Sequence, residues 1–347
     1  MKFYELINEI TKLGYDYHKE TILENSKRNA PYITKTIREL KDTEKRRCLV
    51  ISAGPSLYRQ RTLQRINPEG ICIVAIDGSY IQCLKAGIVP DYVVTLDPHP
   101  TRMVRWFGDP DFENNLNGDD YFARQDLDVD FRKNSLSENE ANIRLVDEHK
   151  APLIICSTAP ANVVKRTQAF NRYWFAPLID APQSSGLTDD LTAITGLPAL
   201  NTGGTVGTAA WNFAHSVLGC KDIAVVGMDL GYSMDTPFNM TQTWPQLKDL
   251  KPIYEFFPHF TTPYGEYYTD PTYWWYRENL LDLLEANECQ LTNCSEAGML
   301  FGERIKNVSL ETWLASSKPT VSSAENNSSL SNTGLSVPNI SATGIDG

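Results

Sequence analysis

Cys48-Leu49-Val50-Ile51 runs directly into Ser52-Ala53-Gly54-Pro55-Ser56-Leu57. A short apolar run rich in β-branched residues suits a strand buried on both faces. Small residues followed by proline suit a tight turn into a helix, with Gly54 as N-cap and Pro55 at the first helical position. Helix starts carry unpaired amides and the positive end of the peptide dipole, so a turn of this kind is suited to a phosphate. The same grammar recurs at Asn201-Thr202-Gly203-Gly204-Thr205-Val206-Gly207, ahead of a helical stretch. Two such turns in one chain point to a nucleotide or nucleotide-sugar ligand.

Similar apolar runs recur outward from the first: Ile71–Ile76, Tyr92–Leu96, Leu153–Cys156, Ile223–Gly227 and Gln290–Asn293. Helical segments are expected between them, over Leu57–Ile66, Ser79–Ala86, Ala161–Thr167, Thr205–Leu218 and Pro271–Asn287. The alternation predicts an α/β fold, a Rossmann-like and mostly parallel sheet with helices on both faces. Residues 1–47 read as a helical lead-in, 48–314 as the Rossmann-like domain, and 315–347 as a disordered tail rich in Ser, Asn, Thr and Gly. An acidic, Asn-rich stretch at about 108–149 reads as an insertion. Residues 232–270 form a second irregular region, long enough for a lid or acceptor loop.

The composition narrows the function. With a formal net charge of −11, the 347-residue chain is a poor general nucleic-acid binder, because neutralising phosphates takes clustered Lys and Arg. Seven scattered cysteines without a CxxC pair fit a reducing compartment rather than a disulfide scaffold or a zinc site. Charged residues begin at Lys2 and Glu5, too early for a signal peptide, and no apolar run is long enough to span a membrane. The expectation is a cytoplasmic protein.

In an open parallel sheet, ligands bind beyond the carboxyl ends of the strands. The residues there are Ser52, Gly54, Pro55 and Ser56 after the first strand, and Asp77, Gly78 and Ser79 after the second. Asp97 and His99 follow the third, Ser157 the fourth, and Asp229 the run Ile223–Gly227. With Gly203, Gly204 and Thr205 of the second turn, these are the candidate nucleotide contacts. Each has a structural alternative: tight turns for the glycines, helix caps for the aspartates. The lysine of a P-loop is missing, as is the full GxGxxG spacing. Tyr232, Tyr264, Tyr267 and Tyr268 are candidate donors to a leaving phosphate. His259 is a candidate base for an acceptor hydroxyl. Trp274-Trp275-Tyr276 reads as core.

These motifs together resemble one family. Ser52–Leu57, Ala75-Ile76-Asp77-Gly78-Ser79 and Gly87–Pro98, with its Leu96-Asp97-Pro98, are similar to the family that joins the archaeal 6-hydroxymethylpterin diphosphokinases (MptE-like) to the bacterial motility-associated factors. Gly204–Ala209, Leu218–Ile223, Gly227–Tyr232 and Asn293–Gly302 continue the likeness, which covers about residues 25–314. The resemblance implies a Rossmann-like domain similar to bacterial sialyltransferases. In the motility branch it implies transfer of a nonulosonic acid from a CMP carrier to a protein or glycan hydroxyl. Gly54–Ser56 and Gly203–Thr205 would hold the nucleotide, Asp77 and Asp97 would contact ribose, base or metal, Tyr232 would support the departing phosphate, and His259 would deprotonate the acceptor. In the pterin branch it implies Mg²⁺-dependent diphosphate transfer from ATP, with Asp77, Asp97 and Asp229 on the metal. A third reading is a nucleotide-binding protein without catalysis. Leu96-Asp97-Pro98 and Asp229-Leu230-Gly231-Tyr232 are closer to the motility branch, whose flanking domains are mostly missing here.

Overall fold

A computed structural model describes residues 7, 19–44, 46–98, 100–112, 137–179, 186–241, 244 and 257–316. The expected tail beyond 316, most of the 108–149 insertion, His99 and much of the first eighteen residues lie outside the described residues. What is described up to Ser316 is built on one nine-stranded sheet. Its strands are β1 Arg47–Ile51, β2 Ile71–Ile76, β3 Tyr92–Thr95, β4 Leu153–Cys156, β5 Arg172–Leu178, β6 Ala199–Asn201, β7 Ile223–Val226, β11 Leu291–Asn293 and β12 Ile305–Asn307. A separate three-stranded antiparallel sheet is formed by β8 Tyr232–Ser233, β9 His259–Thr262 and β10 Gly265–Tyr268.

All pairings in the large sheet are parallel, and the strand order is β12-β11-β7-β1-β2-β3-β4-β5-β6. The chain therefore builds outward from β1 to β6, then returns to lay β7 on the other side of β1. The order reverses between β1 and β7, and that is where an open α/β sheet binds its ligand.

The described helices are α1 over 19–29, α2 Ser56–Arg59, α3 Asp77–Lys85, α4 Met103–Trp106, α5 Asn139–His149, α6 Ala161–Arg166, α7 Leu187–Thr195, α8 Val206–Asn212, α9 Pro271–Ala286 and α10 Leu310–Ala315. Alternation in β1 shows how they share the sheet. Cys48 and Val50 face α8 and α9, whereas Leu49 and Ile51 face α2 and α10, and all four are fully buried. Parallel strands covered on both faces require such unbroken apolar runs. α8 makes the return crossing, packing over β1, β2, β3 and β6, and continues as one π turn over Phe213–Val217.

Three features differ from the sequence expectation. The helix expected over Leu57–Ile66 breaks after α2, because Arg61 takes a left-handed backbone conformation (φ 50°), and resumes as a 3₁₀ turn at Thr62–Arg65. α2 begins at Ser56, with Pro55 as the N-cap residue. Strands β5, β6 and β12 were not anticipated; β5 carries Pro177 and opens on Arg172-Tyr173, which hides its strand character.

Candidate functional site at the strand-order reversal

The loop after β1 is the hub of the site. Gly54 passes so close to the β7 loop that an added Cβ would sit 2.6 Å from the Gly227 carbonyl and 2.9 Å from Asp229 Cγ. Gly78, at the start of α3, would bring a Cβ to 3.1 Å from the Ala53 methyl. Gly207, in the first turn of α8, would bring one to 2.9 Å from Ser52 Oγ and 3.0 Å from Met228 Cε. The two glycine-bearing turns, about 150 residues apart in sequence, thus meet at the carboxyl end of β1.

Their amides are used differently. In the first turn, Ser52 N–H donates to the Val226 carbonyl (2.9 Å) and Gly54 N–H to the Gly227 carbonyl (2.7 Å). The Ser56 amide donates to Asp229 Oδ2 at 2.8 Å, and its hydroxyl donates to Asp229 Oδ1. Asp229 therefore caps α2 from across the sheet, and its carboxylate takes the position an anion would take at this helix start. Burial pushes the Asp229 pKa up, against the lowering effect of the Ser56 bonds.

In the second turn Gly203 and Gly204 adopt φ of 53° and 83°, and Thr205 caps α8 by accepting from the Thr208 amide at 3.0 Å. Among the described residues the amides of Gly204, Val206 and Gly207 find no acceptor. Beside them lies the hydroxyl of Ser52, 5% exposed and without a hydrogen-bond partner among the described residues. A buried hydroxyl left unpaired costs about 1–3 kcal/mol. Here it sits at the positive end of a helix whose first amides are open.

Packing also accounts for the glycines of this turn. A Cβ on Gly203 would meet Thr208 Cγ2 at 2.5 Å, and one on Gly204 would meet Tyr276 Cδ1 at 2.7 Å and Trp275 Cζ3 at 2.8 Å. The Trp275-Tyr276 pair of α9 thus lies on the second turn. A chain of rings runs from there toward the β7 loop, Tyr276 to Tyr273 (6.2 Å between centroids) and Tyr273 to Tyr232 (5.0 Å).

The remaining expected site residues divide into two groups. Asp77 stays close to the hub: it accepts from Thr95 Oγ1 (2.8 Å) and from the Gly78 amide (2.7 Å), and burial lifts its pKa to about 7. Asp97 is close enough to add to that rise, and it forms an ion pair with Arg102. Ser79 spends its hydroxyl on the Ile51 carbonyl, 2.7 Å away. Ser157 is drawn off to another task. Its hydroxyl lies 3.1 Å from Ser26 Oγ, and its carbonyl accepts from Asn29 Nδ2 (2.8 Å), so it docks α1 onto the end of β4. The Tyr232 hydroxyl donates to Asp270 Oδ2 (2.8 Å), the residue that caps α9.

His259 is not brought to the site. Tyr268 pairs with both Tyr232 and His259, so these three share one face of the small sheet. Ser233 and Tyr267 point from the other face; they line the pocket beside Asp229, as Tyr232 also does, and His259 does not. The three aspartates offered for Mg²⁺ are each bonded separately, to Thr95 and Gly78, to Arg102, and to Ser56. Among the described residues no group of three or more His, Cys, Asp or Glu side chains is placed to hold a metal ion. The donor set does not fit a preformed Mg²⁺ site.

The pocket also contains a residue the sequence reading missed. Arg59, exposed at the end of α2, donates from Nη1 to Ser233 Oγ at 2.8 Å and lines the cavity with Ser56, Asp229 and Tyr267. Its only sequence signal is a cation one turn after the first glycine loop. Tyr264 and Tyr268 are committed elsewhere, to Asn307 and to the Thr236 carbonyl.

Comparison with known proteins agrees with the resemblance seen in the sequence. Residues 20–114 match the family model for 6-hydroxymethylpterin diphosphokinase MptE-like proteins. No curated protein matches the chain. A solved structure of similar fold is the MAf glycosyltransferase from Magnetospirillum magneticum AMB-1, 16% identical with a TM-score of 0.53. The match covers 85% of this chain and 38% of that one, so the chain spans well under half of that protein's length. No helix among the described residues is long and apolar enough to cross a membrane.

Proposed function

We propose that the chain is a transferase acting on a nucleotide-activated donor, and specifically a glycosyltransferase that takes a CMP-linked nonulosonic acid and delivers it to a protein or glycan hydroxyl. One observation carries the donor-binding half of this reading: the unpartnered Ser52 hydroxyl, buried against the open first turn of α8 at the sheet's reversal point. A phosphate placed there accepts from Ser52 and from the Val206 and Gly207 amides, with the helix dipole behind them. Donors fixed in advance around a phosphate also stabilise the charge that grows on it as it leaves. The transferred group is supported by likeness, in the sequence motifs and in the shared fold of the MAf enzyme.

Asp77 and Asp97, beside the hub, are assigned to the nucleoside. The second reading, ATP-dependent diphosphate transfer, draws on the family match over residues 20–114. A thermal-shift titration with CMP, ATP and ATP plus Mg²⁺ separates the two. A ligand at about a hundred times its dissociation constant raises stability by roughly 2.7 kcal/mol. A response to CMP without metal is the expected result; a response confined to ATP with Mg²⁺ would transfer the assignment to the diphosphokinase.

A further inference from the structure

On the far side of the first turn from Ser52, the pocket bounded by α2 and the small sheet has chemistry of its own. Its cavity is about 40 Å³. One water needs roughly 10–15 Å³ of such volume, so the space has room for about three water-sized oxygens. Arg59 brings a guanidinium to it. Among the described residues Arg59 forms no ion pair, and its side chain donates one hydrogen bond, to the neutral Ser233 hydroxyl. Asp229, the acid lining the cavity, has both carboxylate oxygens bonded by Ser56. Burial raises the pKa of Asp229 and of Tyr267, and the Ser233 hydrogen bond lowers that of Asp235; in all three the charge of Arg59 acts downward, so it is felt by each of these groups.

We propose that this pocket is a second oxyanion subsite, in which Arg59 binds a terminal phosphoryl or carboxylate group and the Tyr267 hydroxyl, which lines the same cavity, supplies a further donor. The guanidinium fork matches the spacing of two oxygens on either group. Ser233 now occupies one arm of that fork and is tied in turn to Asp235. An incoming oxyanion replaces a neutral partner by a charged one, and hydrogen bonds of that kind are roughly twice as strong. The subsite uses none of the groups assigned to the donor phosphate, so the two are occupied independently.

Isothermal titration with inorganic phosphate and with acetate, each with and without saturating CMP, tests this. Arg59→Gln is compared with the wild-type protein and with Ser52→Ala, and the melting temperature of each variant checks its fold. The expected result is that one of the two anions binds whether or not CMP is present. Arg59→Gln weakens that binding at least tenfold and leaves CMP affinity within twofold, and Arg59→Lys restores part of it. Preference for phosphate marks a phosphoryl-bearing partner, and preference for acetate marks a carboxylate. Anion binding that CMP abolishes, that Arg59→Gln leaves unchanged, or that is missing in the wild-type protein would overturn the subsite. Arg59-dependent anion binding in a protein that ignores CMP would uphold it while removing the CMP reading.

Discussion

The two glycine turns look alike in sequence and do opposite things with their amides. The first is closed: Gly227 and Asp229, more than 170 residues away in the chain, take up the Gly54 and Ser56 donors. The second is open among the described residues, with a capped third amide in α8, two bare ones before it, and the spare hydroxyl of Ser52 alongside. A glycine at a strand-to-helix turn is therefore weak evidence for an anion site. What decides the matter is whether the protein has already supplied its own carboxylate or carbonyl.

The largest effect expected from this contrast belongs to the closed side, where Gly78 seats Asp77 beside Ala53. Asp77 has a pKa of about 7 in the fold against an ordinary value of 3.8. Between those values the native state holds the extra proton, so stability falls as pH rises from 4 to 7 and levels off above. A shift of about three units corresponds to roughly 4 kcal/mol at most. Urea unfolding of wild type and Asp77→Asn at pH 5 and pH 8 should show a steep loss in the first and a clearly shallower one in the second, which keeps the buried Asp229. A wild-type profile as shallow as the variant's would mean that Asp77 is charged in the fold.

Gly227→Ala probes the closure itself. Gly227 has φ of 68°, and an added Cβ would lie 2.6 Å from the Ser52 carbonyl oxygen, a backbone atom that cannot swing aside. The positive φ and the overpacking together should cost about 3 kcal/mol. Gly204→Ala shares the positive φ (83°), but its nearest neighbours are the side-chain rings of Trp275 and Tyr276 rather than backbone, so it should cost less, about 2 kcal/mol. Equal losses in denaturant midpoint would erase the distinction between the two turns.

Ser52→Ala separates stability from binding. Removing a buried hydroxyl that has no partner should leave the ligand-free protein unchanged or up to about 1 kcal/mol more stable. CMP affinity should drop about tenfold, the value of one hydrogen bond to a charged group. A destabilised variant with normal affinity would show that Ser52 serves the fold. The smallest effect is reserved for His259→Ala, which should leave CMP affinity within twofold, because among the described residues its ring packs near Tyr268 and touches none of the groups assigned to the donor phosphate.

The sheet was legible because its inner strands are written as short apolar runs rich in Val and Ile; β1, β2, β3, β4 and β7 lie where those runs are, and β11 lies in the weaker run Gln290–Asn293. β5 and β6 were not, since Pro177 breaks one and the other is three residues long. The aspartates at the strand ends were visible as residues but not as partners. Asp229 was read as a ligand contact or a cap of its own turn, yet it caps α2, and only the reversal of strand order brings the two together. The facing of His259 is set by the register of β9 against β10, which the sequence of an aromatic-rich loop does not show. Arg59 gave almost no signal, because an arginine at a helix end is ordinary until a pocket forms around it.

The direct measurement is a crystal structure of the protein with CMP. The phosphate should lie within hydrogen-bond distance of Ser52 Oγ and of the Val206 and Gly207 amides, with Asp229 still bonded to Ser56. A phosphate seated instead on the Gly54–Ser56 amides, with the Asp229 carboxylate displaced, would contradict the account.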